Sequence, residues 1–84
     1  MSETIRIRLT REIIRKLGEL AGKEGKNRSA LIRELLERGV KEKRLDEAVE
    51  LYRRGQVTGW RAAQLAETSL WNFYKILNEK GIPI

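Results

Sequence analysis

Residues 4–10, TIRIRLT, are the one stretch of this 84-residue chain in which apolar and polar side chains alternate cleanly. In an extended segment Ile5, Ile7 and Leu9 face one way and Thr4, Arg6, Arg8 and Thr10 face the other, because successive side chains of a strand leave opposite faces. Arginines and threonines on one narrow face can do a definite chemistry. Arginine donates two parallel hydrogen bonds to guanine O6 and N7, worth roughly 1–3 kcal/mol of discrimination per good pair, and threonine can donate, accept or touch a thymine methyl. A second candidate is NRSA, where Asn27, Arg28 and Ser29 open a helix. The first-turn amides of a helix and its positive dipole end form a ready anion site. A third lies along the last helix, where Ser69, Asn72 and Lys75 could contact DNA and Trp71 and Tyr74 fall off the apolar face as candidate anchors for a protein partner.

Other chemistries are poorly supported. There is no His and no Cys, so the commonest general base, the thiol nucleophile and the commonest metal ligands are missing. The carboxylates are interleaved with Lys and Arg in EGK, RELLER and DEAVELYRR, the pattern of a solvated, salt-bridged helix face. No glycine-rich loop follows a strand to cradle a phosphate. The expectation is a protein that is not an enzyme and uses no metal or cofactor. No apolar run approaches the roughly 20 residues of a membrane span, and the first residues hold no apolar signal region, so the cytoplasm is the default location.

The formal net charge is +6 and it is unevenly spread. Residues 1–44 hold 13 basic and 7 acidic side chains, whereas residues 45–84 hold 5 of each. The aromatics divide the other way, with Tyr52, Trp60, Trp71, Phe73 and Tyr74 all in the back half. A basic front half favours a phosphate-bearing partner.

These residues need elements to position them. Thr10 can N-cap a helix with Glu12 in its first turn, and Ile13, Leu17, Leu20 and Ala21 form one stripe. The helix should stop between Gly22 and Gly25. Asn27 opens a second helix, NRSALIRELLERGV, with Leu31, Leu35 and Leu36 as its stripe. KEKR, residues 41–44, reads as a charged joint. LDEAVELYRRG follows as a short helix with Leu45, Ala48, Val49 and Tyr52 inward and Gly55 at its end. Thr58 caps GWRAAQLA, a break falls at ETS, and LWNFYKILNEK is the last helix, with Leu70, Phe73 and Leu77 inward and Gly81 closing it. The expected organisation is a domain over 1–43 and a small helical domain over 44–84.

A lone strand in a helical chain has only a second copy of itself to pair with, and an isolated two-stranded ribbon is stable only when packed on helices. The expected fold is therefore mainly α with one N-terminal β-strand, in a dimer built on an intermolecular antiparallel ribbon. TIRIRLT, then REIIRKLGELAGKEG, then NRSALIRELLERGV resembles the ribbon-helix-helix family of MetJ, Arc and CopG repressors over residues 4–40. The resemblance implies that Thr4, Arg6 and Arg8 read bases and that Asn27, Arg28 and Ser29 hold a DNA phosphate. The back half, VTGWRAAQLAETSLWNFYKILNEKGI, looks like a helix-turn-helix. From Leu51 to Ile82 it also resembles a prokaryotic antitoxin-like family, through Leu51, Tyr52, Gly55, Val57, Thr58, Ala62, Ala63, Leu65, Ala66, Ser69, Phe73, Leu77, Gly81 and Ile82. Three roles stay open for this half: a second DNA reader, a partner-binding or oligomerising module, or a stability domain that buries all five aromatics.

The expectation for the whole chain is a sequence-specific DNA-binding regulator, a repressor, that acts as a homodimer with the option of tetramers on DNA. The alternatives are an antitoxin whose back half binds a cognate toxin protein, and a dimeric interaction module that binds no DNA.

Overall fold

The computed structural model describes residues 2–84, and the described residues are all-helical. The helices are α1 (Arg11–Glu24), α2 (Arg28–Arg53), α3 (Gly59–Leu65) and α4 (Leu70–Glu79). The chain groups into two compact units, Met1–Leu36 and Glu37–Ile84, and the change of unit falls inside α2.

This corrects the expected fold class. Residues 2–10 have no regular secondary structure, and no strand forms among the described residues, so the N-terminal β-strand and the ribbon-helix-helix fold built on it are not what the chain adopts. The physical reason is that alternation fixes only which side chains would share a face. A strand also needs a hydrogen-bonded neighbour, and every other regular element here satisfies its amides and carbonyls within its own helix. The KEKR joint is corrected too. α2 is one helix of 26 residues that runs through Gly39 and residues 41–44. One interior glycine costs only about 1 kcal/mol against alanine, and the flanking Lys, Glu and Arg are good helix formers.

In the first unit, Thr10 Oγ1 accepts the Ile13 amide at 3.2 Å and starts α1. Asn27 Oδ1 accepts the Ala30 amide at 2.8 Å and starts α2. The buried core is Leu17 and Ala21 of α1 against Leu31 of α2, with Ile32 partly buried beside it. The rest of the expected stripes stays outside: Ile13, Ile14, Leu20, Leu35 and Leu36 are all exposed.

In the second unit, the end of α2 packs with α3 and α4 around Ala48, Val49, Ala62, Ala63, Phe73 and Leu77. Phe73 is fully buried and meets the Tyr52 ring edge-on, at 5.8 Å between centroids. Thr58 and Ser69 cap α3 and α4 by accepting the Arg61 and Asn72 amides at 3.1 and 3.0 Å.

All four helices end in the same way. Lys26 N–H returns to Ala21 O, Gln56 N–H to Leu51 O, Thr68 N–H to Ala63 O and Ile82 N–H to Leu77 O, each at 2.9–3.0 Å. These are Schellman closures, in which the residue before the returning amide is left-handed. Glycine fills that place three times, but after α3 it is Glu67, with φ 55°. A side chain there costs roughly 1–2 kcal/mol. The Glu67 carboxylate lies 2.7 Å from Arg44 Nη1.

Candidate nucleic-acid interface

The first unit concentrates cations that nothing in it neutralises. Arg15 pairs with Glu19 at 2.7 Å, Lys16 with Glu12 at 3.2 Å, and Lys26 with Glu24 at 3.3 Å and with Glu34. Those pairs use every acidic side chain of the described unit except Glu3. Arg6, Arg8, Arg11, Lys23, Arg28 and Arg33 make no ion pair among the described residues.

Their placement matters more than their number. Arg6 and Arg8 stand on the exposed N-terminal arm beside Thr4. Arg11 is the first residue of α1 and Arg28 the first of α2, which has no acidic residue in its opening turn. A cation at the positive end of a helix dipole is unfavourable by the same few tenths to 1 kcal/mol by which an anion there is favourable. Such residues oppose the helix they start and suit an anion that arrives from outside.

Asn27, Arg28 and Ser29 come together at the opening of α2. Asn27 is engaged as the cap, and the amides of Arg28 and Ser29 precede the helical ladder, with no acceptor inside it. Thr4, Arg6 and Arg8 are exposed, on an arm where no sheet fixes a common facing. Lys26 is held strongly protonated by its hydrogen bonds to Glu34 and then Glu24, so that part of the α1–α2 turn is internally balanced.

In the second unit, Ser69 and Asn72 are partly used by the fold. Ser69 caps α4, and Asn72 Nδ2 donates to Thr68 Oγ1 at 2.7 Å. Lys75 is exposed and makes no ion pair among the described residues. Trp71 and Trp60 are 82 % and 62 % exposed, so this unit does not bury all five aromatics. Tyr74 is half-buried, and its ring lies so close over Gly59 that a Cβ there would come within 2.6 Å of the tyrosine oxygen.

Sequence reasoning passed over Arg11, Arg33 and the close approach at Gly59, and it placed the break at Glu67–Ser69 without the left-handed conformation of Glu67. Arg11 had a legible signal, since no acidic residue stands three or four positions after it. Gly59 and Glu67 had none, because a close ring and a left-handed turn are tertiary facts.

Among the described residues no cluster of acidic side chains could hold a metal ion, and no helix is long and apolar enough to cross a membrane. The molecule is thus a small all-helical protein with a basic arm and helix starts in one unit and a capped α3–turn–α4 hairpin in the other. The chain belongs to the uncharacterised protein family UPF0175, which it matches over residues 3–84, across both units. That membership carries neither a ribbon-helix-helix nor an antitoxin assignment. No curated protein and no solved structure matches the chain.

Proposed function

We propose that this protein is a cytoplasmic DNA-binding regulator, a repressor, that works as a homodimer. The observation that carries the reading is the set of uncompensated cations on the arm and at both helix starts of the first unit. Lysines and arginines without internal partners release counterions from DNA when they meet phosphates, and they steer association. In this reading the amides and side chains around Asn27, Arg28 and Ser29 hold a phosphate, and Arg6, Arg8 and Thr4 on the arm supply base contacts.

The dimer rests on the core of the first unit. Leu17, Ala21 and Leu31 are all it buries, while Ile5, Ile7, Ile13, Ile14, Leu20, Leu35 and Leu36 are exposed. Units below about 40 residues usually need a disulfide, a metal or a second chain to be stable. The chain has no cysteine, which leaves a second copy as the natural cover for this face. A twofold dimer implies palindromic half-sites.

The test is fluorescence anisotropy with random-sequence duplex DNA over a salt series. Wild type is expected to bind with affinity that falls steeply as salt rises. On random-sequence duplex, where the arm arginines have no matching bases and fall back on phosphates, an Arg6→Ala/Arg8→Ala/Arg28→Ala variant should flatten the log–log slope by up to about 2.7, one phosphate per residue. No binding by wild type at low salt, or an unchanged slope in the variant, overturns the reading.

A second reading concerns the second unit. The exposure of Trp60 and Trp71 favours a protein-binding role for it, such as an antitoxin has toward a toxin.

A further inference from the structure

Without a sheet, the arm offers DNA a different shape. A two-stranded ribbon fills the major groove, about 12 Å wide, because neighbouring strands lie about 4.8 Å apart. The described arm, residues 2–10, is a single chain with no regular secondary structure, and every residue of it is exposed. A single chain is too narrow for that groove and matches the minor groove, about 6 Å wide. We infer that the arm lies in the minor groove of A·T-rich DNA, with Arg6 and Arg8 as the residues that set the preference. The inference rests on the DNA-binding reading above and names the groove and the kind of sequence that the arm takes.

The cations of the arm and of the helix start behind it are of one kind. Arg6, Arg8 and Arg11 are all arginine, and the first lysine of the chain is Lys16. A narrow A·T minor groove has an enhanced negative potential that draws in such side chains. Guanidinium is more weakly hydrated than ammonium, so it loses less when water is stripped from it there. Arg6 and Arg8 make neither an ion pair nor a side-chain hydrogen bond among the described residues, so entering the groove breaks no contact within the protein.

The alternation of TIRIRLT acquires a use that needs no partner strand. In an extended arm Thr4, Arg6 and Arg8 leave one side and Ile5 and Ile7 the other. The polar side meets adenine N3 and thymine O2, which only accept, and arginine and the threonine hydroxyl both donate. Guanine puts its 2-amino group in the same groove, where a donor would face donors. Arg6 and Arg8 lie at most about 7 Å apart along the arm, two base steps of about 3.4 Å, so they span a few A·T pairs. Ile5 and Ile7, 81 % and 63 % exposed, then face away from the bases and stay with the apolar face that the second copy covers.

The experiment is fluorescence anisotropy of the full chain with duplexes of equal length that carry a central tract of A·T, G·C or inosine·C pairs in the same flanks. Inosine lacks the 2-amino group of guanine, so an inosine·C pair resembles A·T in the minor groove and G·C in the major groove. Wild type should bind the A·T and inosine·C duplexes alike and the G·C duplex about tenfold more weakly, within the usual effect of one wrong base pair. In an Arg6→Ala/Arg8→Ala variant that ratio should fall to about one, whereas Arg28→Ala should weaken all three duplexes alike and keep it. Both arm residues are exposed and unpaired, and a melting temperature close to wild type confirms that the double variant is folded. Equal binding to all three duplexes, inosine·C bound as weakly as G·C, or a ratio that survives in the arm variant overturns the inference and leaves the DNA-binding reading standing. Tighter binding to a duplex RNA than to any of the three overturns it as well, because the A-form minor groove is wide and shallow. No binding to any duplex at low salt overturns both.

Discussion

The two units treat their apolar residues in opposite ways. The second surrounds a fully buried Phe73 with side chains from α2, α3 and α4, and its helices are stapled by caps at both ends. The first buries Leu17, Ala21 and Leu31 and leaves most of its isoleucines and leucines in water. Charge follows the same division. Each unit leaves six cations without an ion pair among its described residues, but the second sets nine basic side chains against seven acidic ones and the first sets nine against five, with unmatched cations on its arm and at its helix starts. The difference teaches where each unit finds its stability. One closes an apolar core from three helices of a single chain, and the other leaves most of its large apolar side chains exposed and its cations in excess of its carboxylates.

The largest effect that can break this comparison is expected in the second unit. Phe73→Ala removes its central ring and should cost about 3–5 kcal/mol. Urea unfolding should show that loss unchanged across a hundredfold range of protein concentration. A loss below about 1 kcal/mol would mean that the second unit is not self-sufficient.

The next effect belongs to the first unit. Its melting should rise with protein concentration, since a second copy that binds only the folded form stabilises it by mass action. Placing charges on its exposed apolar face with Ile13→Glu/Leu36→Glu should raise the dimer dissociation constant at least tenfold, equivalent to about 1.4 kcal/mol. Analytical ultracentrifugation reads this directly. A wild-type protein that sediments as a monomer at every concentration removes the dimer and makes the two units alike.

The smallest effect sharpens the electrostatic side. Hydrogen bonds from Arg53 and then Arg54 hold the Glu50 carboxyl at about 2, below its ordinary 4.5. A lowered folded-state value means that the contribution to stability is present above 4.5 and is lost as pH falls toward about 2. Glu50→Gln should therefore flatten the acid limb of stability in that window and have only a modest effect at neutral pH, because exposed ion pairs are worth little. Thermal melts of both proteins at successive pH values give the comparison. An acid limb as steep in the variant as in wild type would show that the clamp contributes nothing.

Much of the local structure was legible in the sequence. Thr10, Asn27 and Thr58 start helices, and Gly25, Gly55 and Gly81 close them, where their residue types suggest. The inward set Ala48, Val49, Phe73 and Leu77 also follows its spacing. The candidate site was less legible. The excess of positive charge in the front half can be counted from the sequence, but which cations remain unpaired depends on side-chain geometry. Arg15, for example, takes Glu19, while Lys23, also four residues from that glutamate, makes no ion pair.

By itself, then, the sequence determined the capped helix ends, at Thr10, Asn27 and Thr58 and at Gly25, Gly55 and Gly81, and the charge imbalance. Caps act over three to five residues, and charge is a property of composition, so neither needs a distant partner. Only the tertiary structure decided that TIRIRLT stays unpaired, that α2 continues through Gly39 and KEKR, that Ile13 and Leu20 remain exposed while Leu17 and Ala21 are buried, and that Glu67 takes a left-handed turn. A strand needs a neighbour, burial needs an opposing surface, and a strained turn needs surroundings that hold it. None of these lies within reach of the residues next in the chain.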